Sequence, residues 1–167
     1  PTMNHPRRGR GTNVPTFQAA ADFPVPPSAL FDLLVQPALV TRLMPPELQP
    51  RLLEGPERVS LGDRLRIETR YMGVRQTLTL RIIGFELDRL LTDEQIDGPF
   101  RSFRQERRLT PTAGGVQLSE TIDYEPPGGM LGFLLTPARI ERNLADMYSH
   151  RIQALRELLT PKPSDRP

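Results

Sequence analysis

The 167-residue chain has no cysteine, no tryptophan and only two histidines. Without cysteine there are no disulfides, no thiolate nucleophiles and no thiolate metal sites. The histidines are His5 and His150, and the first falls in a polar stretch rich in proline and arginine. A zinc site would have to draw most of its ligands from carboxylates, which is unusual. Serine–histidine chemistry has only His150 to recruit. The composition therefore points to no metal, no cofactor and no assignable catalytic residue. Long hydrophobic runs are missing as well. Nothing approaches the roughly 20 apolar residues that span a bilayer, and the densest late cluster is Met130 to Leu135. Pro1 to Pro15 lacks the apolar segment of a secretory signal. The expectation is a cytoplasmic protein with no integral membrane segment. Aromatic residues make up 6 % of the chain, and 22 basic residues against 20 acidic ones leave a net charge of only +2. Nucleic-acid binders concentrate positive charge on one face among exposed aromatics; here arginine is spread singly, so nucleic acid is set aside as a partner.

What the chain does have is proline, 19 residues of it, clustered at both ends. That clustering predicts disordered tails over residues 1–13 and 161–167 flanking one domain over residues 14–160. Inside it the hydrophobic period changes in an informative order. Phe17, Ala19, Ala21 and Phe23 alternate with polar residues, the signature of a half-buried strand. Pro26-Pro27 opens a short helix, since proline is tolerated in a first turn, with Leu30, Phe31 and Leu34 on one face. A second short helix is expected over Ala38–Leu43 and a weak strand near Gln49–Glu54. Clean alternation follows: Leu65, Ile67, Thr69 and Tyr71, then Gln76, Leu78, Leu80 and Ile82 beyond the turn at Gly73. Further strands are expected over Leu87–Asp97, Ser102–Leu109 and Val116–Glu125, with turn signals at Gly98-Pro99 and Gly114-Gly115. Six or seven consecutive antiparallel strands make a meander with one solvated face.

The last element is a helix over Pro137–Leu159, with Thr136 as N-cap and Pro137 at the first helical position. Ile140, Leu144, Met147, Ile152, Leu155 and Leu159 form its apolar stripe. At roughly 34 Å it needs a large partner, and the concave face of the sheet is the large apolar surface available. The expected fold is α+β: a curved antiparallel sheet gripping a long C-terminal helix, with two short helices after the first strand.

That order, together with certain local runs, resembles the START-like or SRPBCC superfamily, and most closely its bacterial polyketide cyclase/dehydrase-like ligand-binding proteins. The resemblance extends over Val14–Leu159. It is carried by Thr92-Asp93-Glu94-Gln95-Ile96-Asp97-Gly98-Pro99-Phe100, by Gly114-Gly115-Val116, and by Asp123-Tyr124-Glu125-Pro126-Pro127-Gly128-Gly129-Met130-Leu131-Gly132. Leu61-Gly62-Asp63 and the run from Val25-Pro26-Pro27 to Phe31 also fit. The resemblance implies a helix-grip fold with a cavity between helix and sheet, and a hydrophobic small-molecule ligand such as a lipid, quinone or polyketide. Relatives commonly carry aromatic and histidine residues where this chain has Phe103, Gln105 and Arg107, so no proton-transfer role comes across.

Pairing the strands sharpens the expectation. A hairpin at Gly114 sets Leu109 opposite Leu118, Arg107 opposite Glu120 and Phe103 opposite Tyr124. One at Gly98-Pro99 sets Asp93 opposite Gln105 and Leu91 opposite Arg107; opposed side chains are close enough to touch. Asp93, Gln95, Gln105, Arg107 and Glu120 then form a polar patch on the concave face, able to orient one end of a ligand. The structural alternative is that Arg107 and Glu120 form an ion pair that matches charges in a half-buried face. Tyr71, Leu78, Leu80, Phe103, Ile122, Tyr124, Leu144, Met147, Tyr148 and Arg151 complete the pocket candidates. Asp93 and Glu94 alternate to opposite faces, which argues against a carboxylate pair for acid–base work. His150 lies off the helix stripe and is expected in water. Met130 to Leu135 is expected in the core or at the pocket mouth, where a lipid carrier would touch a membrane transiently. The leading function is binding or carriage of a hydrophobic small molecule. The alternatives are a polyketide cyclase/dehydratase, in which pocket shape positions reacting carbons, and a protein interaction module with a closed core. The oligomeric state is left open.

Overall fold

The computed structural model describes residues 14–71 and 73–160, without the side chains of Tyr71, Met130, Leu131 and Leu134. The tails expected at 1–13 and 161–167 lie outside the described residues, as does His5.

Seven strands form one antiparallel sheet: β1 (Thr16–Phe23), β2 (Arg51–Glu54), β3 (Arg64–Tyr71), β4 (Val74–Glu86), β5 (Leu90–Asp97), β6 (Ser102–Thr112) and β7 (Gly115–Glu125). Their spatial order is β1-β7-β6-β5-β4-β3-β2, so β2 to β7 make an uninterrupted meander and β1 returns to pair with its last strand. Helices α1 (Pro27–Leu34) and α2 (Pro37–Arg42) follow β1, and a 3₁₀ turn (Pro46–Leu48) precedes β2. Helix α3 (Gly129–Leu134) leads into α4 (Pro137–Leu159), whose first turn is capped by Thr136 Oγ1 accepting from the Arg139 N–H at 3.4 Å.

Strict alternation decides which face of each strand is buried. Along β7, Val116, Leu118, Glu120, Ile122 and Tyr124 are buried while every intervening residue is half-exposed. The concave face so made receives Ile140, Leu144, Arg151, Ile152 and Leu155 of α4. Two glycines let the sheet take its shape. At Gly84 the β4–β5 register shifts, and an added Cβ would stand 2.9 Å from Thr92 Oγ1, so the strand bulges and bends where only glycine fits. At Gly115 an added Cβ would stand 2.1 Å from the Phe23 carbonyl oxygen, which brings the start of β7 against the end of β1.

Several element limits differ from the expectation. β4 runs on to Glu86 and β5 begins only at Leu90, because Asp88 takes a left-handed turn conformation (φ 59°) and leaves Leu87 72 % exposed. Aspartate tolerates that region better than most residues. α2 begins at Pro37, which takes the first helical position just as Pro27 does in α1. α3 had no expectation at all: six residues are too few for a helical period to show.

Candidate functional site

Two very different environments lie between α4 and the concave face. Under the first half of α4 is a cavity of about 430 Å³. Much of its wall is apolar: Leu78 from β4, Phe103 from β6, and Ile140, Leu144 and Met147 from α4. Met44, Pro45 and Leu48 close one side from the connection between α2 and β2, and Pro99 and Phe100 close another from the β5–β6 turn. Phe100 is held in place by its neighbour. Gln95 Nε2 donates to the Phe100 carbonyl at 2.7 Å, and the Phe100 N–H donates back to Gln95 Oε1 at 3.3 Å. The ring then packs on Phe103 with 5.3 Å between centroids. Gly98 makes room for this clamp, because a Cβ there would lie 2.6 Å from Gln95 Oε1. The lining also has polar members: the directly paired Thr69 and Gln76 beside the β3–β4 hairpin, Asn143 and Asp146 on α4, and Glu47 in the 3₁₀ turn.

Further along the same helix the gap is filled by charge. Asp93 on β5, Gln105 and Arg107 on β6, Glu120 on β7 and Arg151 on α4 are each at most 6 % exposed. Arg107 Nη1 donates to Asp93 Oδ2 at 2.7 Å and its Nη2 donates to Gln105 Oε1. The Gln105 amide donates in turn to Glu120 Oε1, which also accepts from Arg151 Nη1 at 2.7 Å. Two guanidinium groups and two carboxylates thus neutralise one another through a bridging amide, tying three strands to α4. Burial pushes the Asp93 carboxyl above the usual carboxylate range, against the opposing pull of Arg107. Burial also works against the charge on Arg107, but Asp93 and Glu120 outweigh it and hold the guanidinium protonated. Nearby, the Tyr148 hydroxyl is buried with no partner among the described residues, and its pKa is pushed up to about 12 by burial first and Glu120 second. Asp93 Oδ1, Glu120 Oε2 and the Nε of both arginines are likewise without partners there.

Comparison with known proteins places this architecture. A family model described as polyketide cyclase/dehydrase and lipid transport matches residues 23–147. The chain belongs to that family. No curated protein matches the sequence. Among solved structures, a protein from Thermus thermophilus superposes with a TM-score of 0.71 at 16 % identity, covering 90 % of this chain and all of that one. Major latex-like protein 151 from Panax ginseng gives 0.67 at 14 % identity, covering 89 % and 99 %. Ara h 8.0201 gives 0.65 at 16 %, covering 87 % and 97 %. At such identities the likeness is one of fold, the helix-grip arrangement of sheet and long C-terminal helix.

Within this polyketide cyclase/dehydrase and lipid transport fold, the sequence candidates divide into groups. Leu78, Phe103, Leu144 and Met147 line the cavity. Asp93, Gln105, Arg107, Glu120 and Arg151 come together, but as the buried network and outside the cavity lining. Arg107 stands opposite Glu120 in register, yet its ion pair is with Asp93, while Glu120 takes Arg151. Gln95 holds the turn, and Leu80, Ile122 and Tyr124 are core residues. The Tyr71 side chain is outside the described residues. His150 is exposed. Sequence reasoning missed Met44, Leu48, Pro99 and Phe100, which lie in connections without periodicity; their only signal was that each is apolar or proline next to a turn. Among the described residues no group of His, Asp or Glu is placed to hold a metal, and no helix is long and apolar enough to cross a membrane.

Proposed function

We propose that the chain binds and carries a hydrophobic small molecule in the cavity under the first half of α4. The observation that carries this reading is the cavity itself: about 430 Å³, within the range of small-molecule sites, with aromatic and aliphatic walls and a few polar groups at one end. Leu78, Phe103, Leu144 and Met147 supply ligand contacts, with Phe100 added from the turn. The buried network serves as a brace that seats α4 on the sheet and sets the depth of the cavity floor. Phe103 lies two residues before Gln105 on one face of β6, and Met147 one turn before Arg151 on α4. The network therefore begins only about 6–7 Å beyond the floor. Carriage is favoured over polyketide cyclisation or dehydration because the buried acids and bases are occupied with one another, leaving mainly shape and apolar surface to act on a ligand.

Native mass spectrometry before and after organic extraction tests the proposal, followed by titration of the extracted protein with Nile red. The expected result is an extractable small molecule near one equivalent, or saturable Nile red binding at one site. The absence of both a co-purifying molecule and saturable dye binding would overturn it.

A further inference from the structure

We infer that the cavity selects by charge, preferring an amphiphile with a cationic head (a hydrophobic amine) to its neutral equivalent and disfavouring a carboxylate. This deepens the binding reading above and rests on it. Among the described residues the ionisable side chains in the lining are Glu47 and Asp146, both carboxylates, and none is basic. On the strands several acids are matched. Glu54, Glu94 and Glu106 each have an arginine within 3.1 Å, and Glu68 lies between Arg51 and Arg75. Glu47 and Asp146 enter no such pair among the described residues. The two buried arginines beyond the floor are each already bound to a carboxylate, so the nearest buried positive charge is neutralised.

Polarity is also graded along the cavity. Leu135, Ile140 and Leu144 are its buried members, Thr69 and Gln76 pair beside the β3–β4 hairpin half-buried, and Glu47 and Asp146 are exposed to solvent. An amphiphile seated with its apolar body inward places its head among the hydroxyl, the amides and the two unpaired carboxylates. An ammonium keeps water there and gains two attractions, whereas a carboxylate meets two repulsions. Exposed pairs of this kind are weak singly, but attraction in one case and repulsion in the other separate the two heads by about tenfold in affinity.

The test displaces Nile red with decylamine, decan-1-ol and decanoate at pH 7 and low salt. The expected order is amine, then alcohol, then decanoate, with about tenfold between the ends. Adding salt to about 0.5 M should compress that spread, because exposed charges are screened. In the double variant Glu47→Gln with Asp146→Asn, the amine-to-decanoate ratio should fall to within about twofold. Decanoate binding as tightly as decylamine, or a preference that survives both high salt and the double replacement, overturns the inference and leaves the binding reading standing. A protein that neither carries an extractable molecule nor binds Nile red overturns the binding reading first, so the two failures are distinguishable.

Discussion

The two halves of α4 lie on the same concave face, yet one half covers a cavity and the other covers a solid, charged core. From Ile140 to Met147 the helix faces Leu78, Phe103 and Phe100 across open space. From Tyr148 to Leu155 it is pinned by Arg151 to Glu120 and packed through Ile152 and Leu155 into the cluster that includes Phe23, Phe31 and Leu118. An apolar helix face alone would settle as deep as its side chains allow. A buried arginine that must reach a specific carboxylate fixes the distance instead, and a cavity can persist one turn away. On the proposed reading, burying charge here serves geometry more than stability, because such pairs barely repay their desolvation.

The largest test of that contrast is Glu120→Leu. It strands Arg151 without a carboxylate and removes the acceptor of the Gln105 amide, so urea denaturation should show a loss of about 3–5 kcal/mol. Adding Arg151→Met should recover most of it. A double variant no better than the single would mean that the pair is not the source of the loss.

Arg107→Leu separates the brace from the ligand site. Stability should fall by about 3 kcal/mol, since Asp93 is left buried and unpaired, while Nile red affinity of the folded protein stays within about threefold. A tenfold loss of affinity with the fold intact would instead make the polar group an anchor for ligand, as the strand pairing first suggested.

The opposite pattern is expected at the cavity. Met147→Trp should change stability by no more than about 1 kcal/mol, because the added volume enters open space, and should weaken Nile red binding about tenfold or more. Equal dye affinity would place the ligand elsewhere.

The smallest effect is expected at the seam between the halves. Tyr148→Phe removes a buried hydroxyl that has no partner among the described residues, so stability should be unchanged or rise by up to about 1 kcal/mol. Its pH dependence is more telling. The folded hydroxyl holds its proton to about 12, against 10.0 for an ordinary tyrosine, so its stabilising contribution is complete below pH 10 and declines as pH rises toward 12. Urea midpoints from pH 9 upward should fall less steeply in Tyr148→Phe than in the parent protein; identical slopes would mean that Tyr148 titrates as it does in the unfolded chain.

Much of the framework was legible because alternation and turns leave few choices. The opposed pairs Leu109–Leu118, Phe103–Tyr124, Asp93–Gln105 and Leu91–Arg107 stand in register as the glycine turns predict. A one-residue slip would have turned every buried side chain outward. The limits of α4 follow from Thr136, Pro137 and the stripe of leucine and isoleucine. Less legible was the use made of each polar side chain. Arg151 sits beside the stripe, where a long arginine ordinarily reaches for water, yet here it is buried against Glu120 from a strand 31 residues earlier.

The sequence by itself determined the order of elements, the faces they bury and the collection of charges on the inner face of the sheet. Those are consequences of local period, proline and glycine, which act over a few residues. Only the tertiary structure decided which arginine meets which acid, that Phe100 and Met44 join one cavity, and that Glu47 and Asp146 stand in its lining without an ion pair among the described residues. Such outcomes depend on where distant segments come to rest, and a guanidinium with several carboxylates within reach is assigned by distance and burial, which sequence spacing does not encode.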